Sequence, residues 1–258
     1  MRIVLIGAGN LATNLGKALQ QAGHQIIQVY SRTIESAESL AKLLNAEAVQ
    51  AIPQVVQDAD IYIVAVKDSV LESIIPTLCK GREEAVFVHT AGSMPMDIFK
   101  NDAKHFGVLY PMQTFSKARE VDFEEIPCFI EYNDKTAENT ISQLVNSISK
   151  NVYELSSENR KFLHLAAVFA CNFSNHCYTM AKDILENANI PFKVMIPLID
   201  ETTRKIHQMD PVKAQTGPAI RYDENVINKH LKMLEDHKFM KELYKEMSES
   251  IHNRSQHD

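Results

Sequence analysis

The chain has 258 residues, 45% of them hydrophobic and 23% charged, with a formal net charge of −6. That length buries a sizeable core in one or two domains, and the acidic balance argues against a nucleic-acid surface, which needs a concentrated cationic face. No apolar run approaches the roughly 18 residues that cross a bilayer, and the N-terminal run is too short for an export signal, so no membrane partner and a cytoplasmic location are expected.

From residue 1 to about 155, short apolar runs alternate with amphipathic segments. The expected strands are "RIVLIG", "QIIQVYS", "AEAVQ", "IYIVAV", "AVFVHT", "FGVLYP", "PCFIEY" and "NVYELS". Several are continuous apolar runs, as strands covered on both faces require. Between them lie helical patterns: "NLATNLGKALQQAG" stopped at Gly23, "TIESAESLAKLLN", "DSVLESIIPTLC" and "KTAENTISQLVNSIS". This alternation predicts an α/β, doubly wound, mostly parallel Rossmann sheet over residues 1–156. From 157 to 258 only helical periodicity remains, so an all-α C-terminal domain is expected, ending in the polar, fraying tail "SESIHNRSQHD". Ser156 or Ser157 is the expected N-cap of its first helix. Phe162 to Met180 is apolar almost all round and must be enclosed, either by the other helices or by a second subunit; a homodimer through helix 158–188 is expected. Cys79, Cys128, Cys171 and Cys177 form no CxxC pair and read as reduced small hydrophobes, with no metal site.

Gly7-Ala8-Gly9-Asn10-Leu11-Ala12 is a GxGxxA variant of the dinucleotide fingerprint, placed between a strand and a helix. Gly7 permits the turn, Gly9 leaves room for a pyrophosphate, and Ala12 lets the helix pack on the strand. The phosphates would rest on free N–H groups of Asn10, Leu11 and Ala12 at the positive end of the helix. The second strand ends in Ser31-Arg32-Thr33, where an NAD enzyme would carry a carboxylate. Hydroxyls and a planar cation suit a 2′-phosphate, so the expected cofactor is NADP. Ligands of such sheets lie at the carboxyl ends of the strands, which assigns Ala65, Val66, Lys67, His89, Thr90, Ala91 and Gly92 to the ribose and nicotinamide end. Asp68 is read as the cap of the following helix.

The segments "IGAGNLATNL", "VYSRT", "VAVKD", "HTAGSMP", "GVLYPMQTFSK", "FLHLAAVFACNFSNHCYTMA" and "QTGPAIRYD" resemble a bacterial group of Rossmann-like NADP oxidoreductases with an attached helical domain of unknown function. The group is similar in layout to pyrroline-5-carboxylate reductase, ketopantoate reductase and deazaflavin-dependent NADP oxidoreductases. The resemblance implies an N-terminal NADP domain, a helical second domain and dimerisation through the long helix. Related β-hydroxyacid dehydrogenases carry a catalytic lysine four residues before an asparagine; here Val168 stands at the lysine position and Asn172 remains. "QTGPA" matches the substrate stretch of pyrroline-5-carboxylate reductases at Thr216 and Pro218 only.

Three clusters are candidates for the chemistry. Tyr110 and Gln113 follow the sixth strand and are expected near the nicotinamide amide or the substrate, with a packed loop as the other reading. His164 and Asn172 stand eight residues apart, about two turns along nearly one face. Histidine titrates near neutrality, which makes His164 the best general acid in the chain, unless it is a satisfied core residue. Thr216 and Arg221 suit a carboxylate or other anion; Asp223 caps a helix over 224–236, and His230 on that helix is expected to be exposed. The leading expectation is an NADP-dependent oxidoreductase moving a hydride between nicotinamide and a small C=O or C=N substrate in the cleft between the domains. A non-catalytic NADP-binding sensor or assembly protein is the second reading, and a methyltransferase-like use of the glycine loop is disfavoured because that cofactor lacks a pyrophosphate.

Overall fold

The computed structural model describes residues 1–256. Eight strands form where the apolar runs stand: β1 (Arg2–Ile6), β2 (Gln25–Tyr30), β3 (Glu47–Val49), β4 (Ile61–Val64), β5 (Val86–His89), β6 (His105–Pro111), β7 (Cys128–Tyr132) and β8 (Val152–Glu154). They make one sheet in the order β3-β2-β1-β4-β5-β6-β7-β8. β1 to β6 pair in parallel, β7 runs antiparallel to β6, and β8 is parallel to β7. The reversal has a physical cause in the connection. Residues 112–127 contain only a short 3-10 turn at Phe123–Glu125, and a parallel return needs a crossover, usually a helix. The chain builds outward from β1 to β3, then crosses back to β4, so the sheet's switch point lies between β1 and β4.

Helices α1 (Asn10–Gln21), α2 (Ile34–Leu44) and α4 (Lys135–Asn146) cover one face, and α3 (Asp68–Cys79) covers the other. β1 explains why an unbroken apolar run is needed. Ile3 and Leu5 enter the core with Leu15, Leu40 and Ile141, while Val4 and Ile6 enter the opposite core with Leu71, Tyr62 and Phe87. These four β1 side chains are 0% exposed, and burial of each contributes about 1.5–3 kcal/mol. α1 ends where Gly23 takes φ +86°, the left-handed stop the sequence predicts.

The chain divides into two compact units, Met1–Cys171 and Asn172–Asp258, the last two residues of which lie outside the described set. The first unit extends beyond the expected boundary at 156, because α5 (Ser157–Ala167) belongs with the sheet. Ser156 caps α5 by accepting from the Asn159 N–H, as expected. What fixes the helix is Arg160. It is 1% exposed and its guanidinium donates to Glu131 Oε2 of β7 at 2.6 Å and to the Met94 carbonyl at 2.7 Å. A π-helical turn, Val168–Phe173, follows α5, so the eight residues from His164 to Asn172 do not measure two turns of α-helix.

The second unit contains α6 (Ser174–Asn187), α7 (Ile196–Ile206), the single turn α8 (Pro211–Ala214), α9 (Glu224–Met233) and α10 (Lys238–Ser255). Asp223 caps α9 through the Val226 N–H, and the helix stops at Met233, three residues short of the expected end. His230 is half-buried and not exposed as expected, because its Nδ1 lies 2.9 Å from the Tyr244 hydroxyl of α10. The tail expected to fray is helical to Ser255. Of the cysteines, Cys79 and Cys128 are buried, Cys177 is intermediate and Cys171 is exposed, and all four are free thiols. Burial pushes the Cys79 and Cys128 thiols up to about 12 and about 11.

Candidate active site

The glycine loop joins β1 to α1 at the carboxyl edge of the sheet. Gly7 takes φ +119°, and a Cβ there would lie 2.3 Å from the Ala65 carbonyl oxygen; only glycine fits this turn beside the end of β4. A Cβ on Gly9 would meet nothing within 4 Å. Gly9 therefore borders open space, which is where a bound group would sit. The first bond inside α1 runs from the Thr13 N–H to the Gly9 carbonyl at 3.0 Å, and no side chain caps the helix. Among the described residues the N–H groups of Asn10, Leu11 and Ala12 take no internal acceptor, leaving the positive end of the helix ready for an anion. Ala12 itself is fully buried, as the helix–strand packing demands.

A cavity of about 260 Å³ opens beside this turn, lined by Gly7, Gly9, Ser31, Arg32, Ala65, Val66 and Lys67 among others. Two cations, Arg32 and Lys67, thus share one small pocket with the glycine loop, and both side chains are exposed. The backbone near Arg32 is set by its neighbours: the Ser31 N–H bonds the Val49 carbonyl at 3.2 Å, and Gln50 Nε2 donates to the Arg32 carbonyl at 3.0 Å. Thr33 is the exposed N-cap residue of α2, and its N–H bonds Ser31 Oγ at 3.3 Å. The donor set, free N–H groups beside open space with two nearby cations, fits a dinucleotide with an additional phosphate.

Asp68 departs from its expected role. Lys67 is the N-cap of α3 and Asp68 its first residue, and the Asp68 carboxylate takes the Ser93 hydroxyl instead of capping. Beyond β5, His89 is 0% exposed, with Nδ1 accepting from the Ala91 N–H at 3.1 Å and Nε2 3.3 Å from the Pro95 carbonyl. Burial, aided by the nearby Arg160 charge, holds His89 down at about 4, so the ring is neutral and its side chain shapes the loop. Thr90 and Ala91 are nearly buried, the Thr90 N–H bonding the Val64 carbonyl at 3.2 Å. Gln113 is exposed and its Oε1 accepts from the Thr114 N–H of its own loop.

Two predicted residues far apart in sequence meet here. The Tyr110 hydroxyl, at the end of β6, lies 3.1 Å from His164 Nδ1 of α5, with the rings edge-on at 72°. Gly92 backs this pair: a Cβ on it would stand 2.6 Å from His164 Nδ1. Burial raises the Tyr110 phenol above its ordinary range, against a smaller opposing effect of the Arg160 charge. One turn before His164, Arg160 anchors α5, a role that sequence reasoning missed. The signal was present: a cation in the first turns of a helix opposes the macrodipole and needs a partner. Burial pushes its partner Glu131 up, but hydrogen bonds from Ser157 and Arg160 outweigh this and leave the carboxyl below its usual range. Asn172, Thr216 and Arg221 all belong to the second unit and are exposed, Asn172 in the π turn and the other two between α8 and α9.

Comparison with known proteins places this architecture. Residues 2–91 match the family described as NADP oxidoreductase coenzyme F420-dependent, and residues 126–251 match a domain of unknown function, DUF2520. The crystal structure of an NADP oxidoreductase candidate of Bacteroides fragilis, BF3122, is 54% identical over 98% of each chain, with a TM-score of 0.95. An imine reductase from Myxococcus stipitatus in complex with NADP+ shares the fold at 17% identity, covering 99% of this chain and 94% of its own, with a TM-score of 0.67. A 1-pyrroline-5-carboxylate reductase from Streptococcus pyogenes does so at 14% identity over 98% of each chain, with a TM-score of 0.62. No curated protein matches the chain. With its glycine loop, an arginine just past its second strand and a full-length relative at this identity, the chain belongs to the NADP oxidoreductase family that joins a Rossmann-like N-terminal domain to a DUF2520 domain.

Proposed function

We propose that this protein is an NADP-dependent oxidoreductase that reduces a small carbonyl or imine compound. The observation that carries the reading is the free amino end of α1, opening on a cavity that also holds Arg32 and Lys67. Gly9, Asn10, Leu11 and Ala12 would hold the diphosphate, and Ser31, Arg32 and Thr33 the adenosine 2′-phosphate. Lys67 adds a second positive charge beside the loop, and Ala65, Val66, Thr90, Ala91 and Gly92 provide backbone and small side chains toward the nicotinamide end. Bound NADPH supplies the hydride; orienting the acceptor and delivering a proton fall to the protein. Among the catalytic candidates His164 is the group with a polar partner in place. Asn172, Thr216 and Arg221 are offered as substrate-holding groups, Arg221 for its bidentate fit to a carboxylate.

The test is a screen of keto acids, aldehydes and cyclic imines with NADPH and NADH. Turnover with NADPH is expected; tight NADPH binding without turnover across the whole screen moves the protein to the non-catalytic sensor reading. A homodimer through α5 and α6 belongs to the same proposal. Phe162 and Leu165 of α5 are 70% and 54% exposed, and Ile184 of α6 is 44% exposed, apolar side chains that a second copy would cover. Sedimentation equilibrium is expected to return twice the chain mass; the mass of one chain would remove the dimer.

A further inference from the structure

Two-electron reduction of a C=O or C=N bond adds a hydride at carbon, supplied by NADPH, and a proton at the heteroatom. Resting on the oxidoreductase reading, we propose that the phenol of Tyr110 gives that proton and that His164 is the positioning residue that holds the phenol and restores its proton. Three independent features of the first unit point to this pair. Tyr110 stands at the carboxyl end of β6, the edge of a parallel sheet at which ligands bind, and keeps 9% exposure. Its hydroxyl lies 3.1 Å from His164 Nδ1. The seat for the imidazole exists only because residue 92 has no side chain, since a Cβ there would be 2.6 Å from Nδ1 and 2.8 Å from the ring carbon Cγ.

The pair is also held still. Arg160, four residues before His164 and so on nearly the same helix face, is locked to Glu131 and to the Met94 carbonyl of the Gly92 loop. The Ser157 hydroxyl completes this clamp, donating to Glu131 Oε2 and accepting from the Met96 N–H at 2.8 Å. A donor held by packed neighbours loses little freedom when it reacts. In the step itself the Tyr110 O–H bond breaks as a new O–H or N–H bond forms on the substrate heteroatom. The phenol oxygen then takes the proton from His164 Nδ1 as Nε2 takes one from water, leaving hydroxide to the solvent and forming no imidazolate, and exchange with water returns the ring to its Nδ1–H form. This order requires Nδ1 to carry the proton at rest and donate it to the phenol oxygen, leaving the phenol O–H free for the substrate. His164 is only half-buried, so its ring can exchange protons with water.

The experiment uses the full chain labelled with ¹⁵N-histidine and saturated with NADP+. The ring-nitrogen shifts of His164 are expected to report the Nδ1–H tautomer, and to move on Tyr110→Phe while circular dichroism stays unchanged. A rested Nε2–H tautomer overturns the proposal, because the phenol proton is then spent on the imidazole. A His164 resonance unmoved by Tyr110→Phe overturns it as well. With pyruvate and 2-methyl-1-pyrroline as probes, Tyr110→Phe is expected to lower kcat at least about 10²-fold with KM unchanged, the size of a lost general acid. His164→Gln should lower it less, since a neutral amide still holds the phenol; a Tyr110→Phe protein as fast as the wild type on either probe refutes the donor role. Where neither probe is reduced, the tautomer decides. Failure of the wild-type protein to bind NADPH is a different result: it removes the oxidoreductase reading and leaves the Tyr110–His164 pairing measured.

Discussion

Removing the counter-ion of Arg160 should be among the most damaging single changes in the first unit. The guanidinium is 1% exposed, bonds Glu131 Oε2 at 2.6 Å and the Met94 carbonyl at 2.7 Å, and lies 3.1 Å from the Ser157 hydroxyl. Its Nε already lacks a partner among the described residues, so the site has no spare acceptor to take over. Glu131→Leu keeps the volume roughly constant but strands a full positive charge inside the protein, at a cost of about 3–5 kcal/mol. For a unit of this size that lowers the melting temperature on the order of 10 °C. Replacing both partners, Glu131→Leu with Arg160→Met, deletes the charge together with its counter-ion and should recover most of the loss. Thermal and urea unfolding of the wild type, both single variants and the double variant give the coupling energy directly. Additive single losses, with no recovery in the double variant, would refute the claim that this pair clamps α5 to the sheet.

Three further outcomes follow from the site. Gly7→Ala should destabilise the fold by at least about 2 kcal/mol, from its positive φ and the 2.3 Å approach to the Ala65 carbonyl. Gly9→Ala should change stability by no more than about 1 kcal/mol yet weaken NADPH, because its methyl projects into the empty cradle; unfolding curves and ligand titration separate the two. Acid should destabilise the protein through His89. Its ring is neutral in the folded state at about 4 against an ordinary 6.5, so the unfolded chain binds the proton first. Stability is present above pH 6.5 and falls as pH drops from there to about 4, by about 3 kcal/mol in total. His89→Asn should flatten that slope in a series of melts; an unchanged slope would show that His89 is not the group responsible.

The sheet was legible because a strand buried on both faces must be apolar throughout, and the runs of β1, β4 and β5 are. The direction of β7 was also accessible, since residues 112–127 carry no helical pattern to bring the chain back in parallel. The cofactor end of the site was legible because phosphate binding depends on backbone conformation that glycine alone permits, and the glycines are visible one by one. The polar pair was not. Tyr110 and His164 are separated by 54 positions, and their meeting depends on where α5 lands on the sheet. That landing is set by Arg160 and Glu131, 29 positions apart and individually unremarkable in sequence. The π turn at 168–173 was hidden for a similar reason: helical periodicity over a few residues does not distinguish an inserted residue from a phase drift.

The central claim is that α1 and Arg32 together recognise NADP, and titration of the protein's response to NADPH and NADH tests it most directly. NADPH should bind more tightly, and Arg32→Ala should weaken it by roughly 10- to 100-fold, the loss of one charge-assisted contact of about 1.5–3 kcal/mol, while barely changing NADH. Equal affinity for the two nucleotides, or no binding of either, would contradict the account.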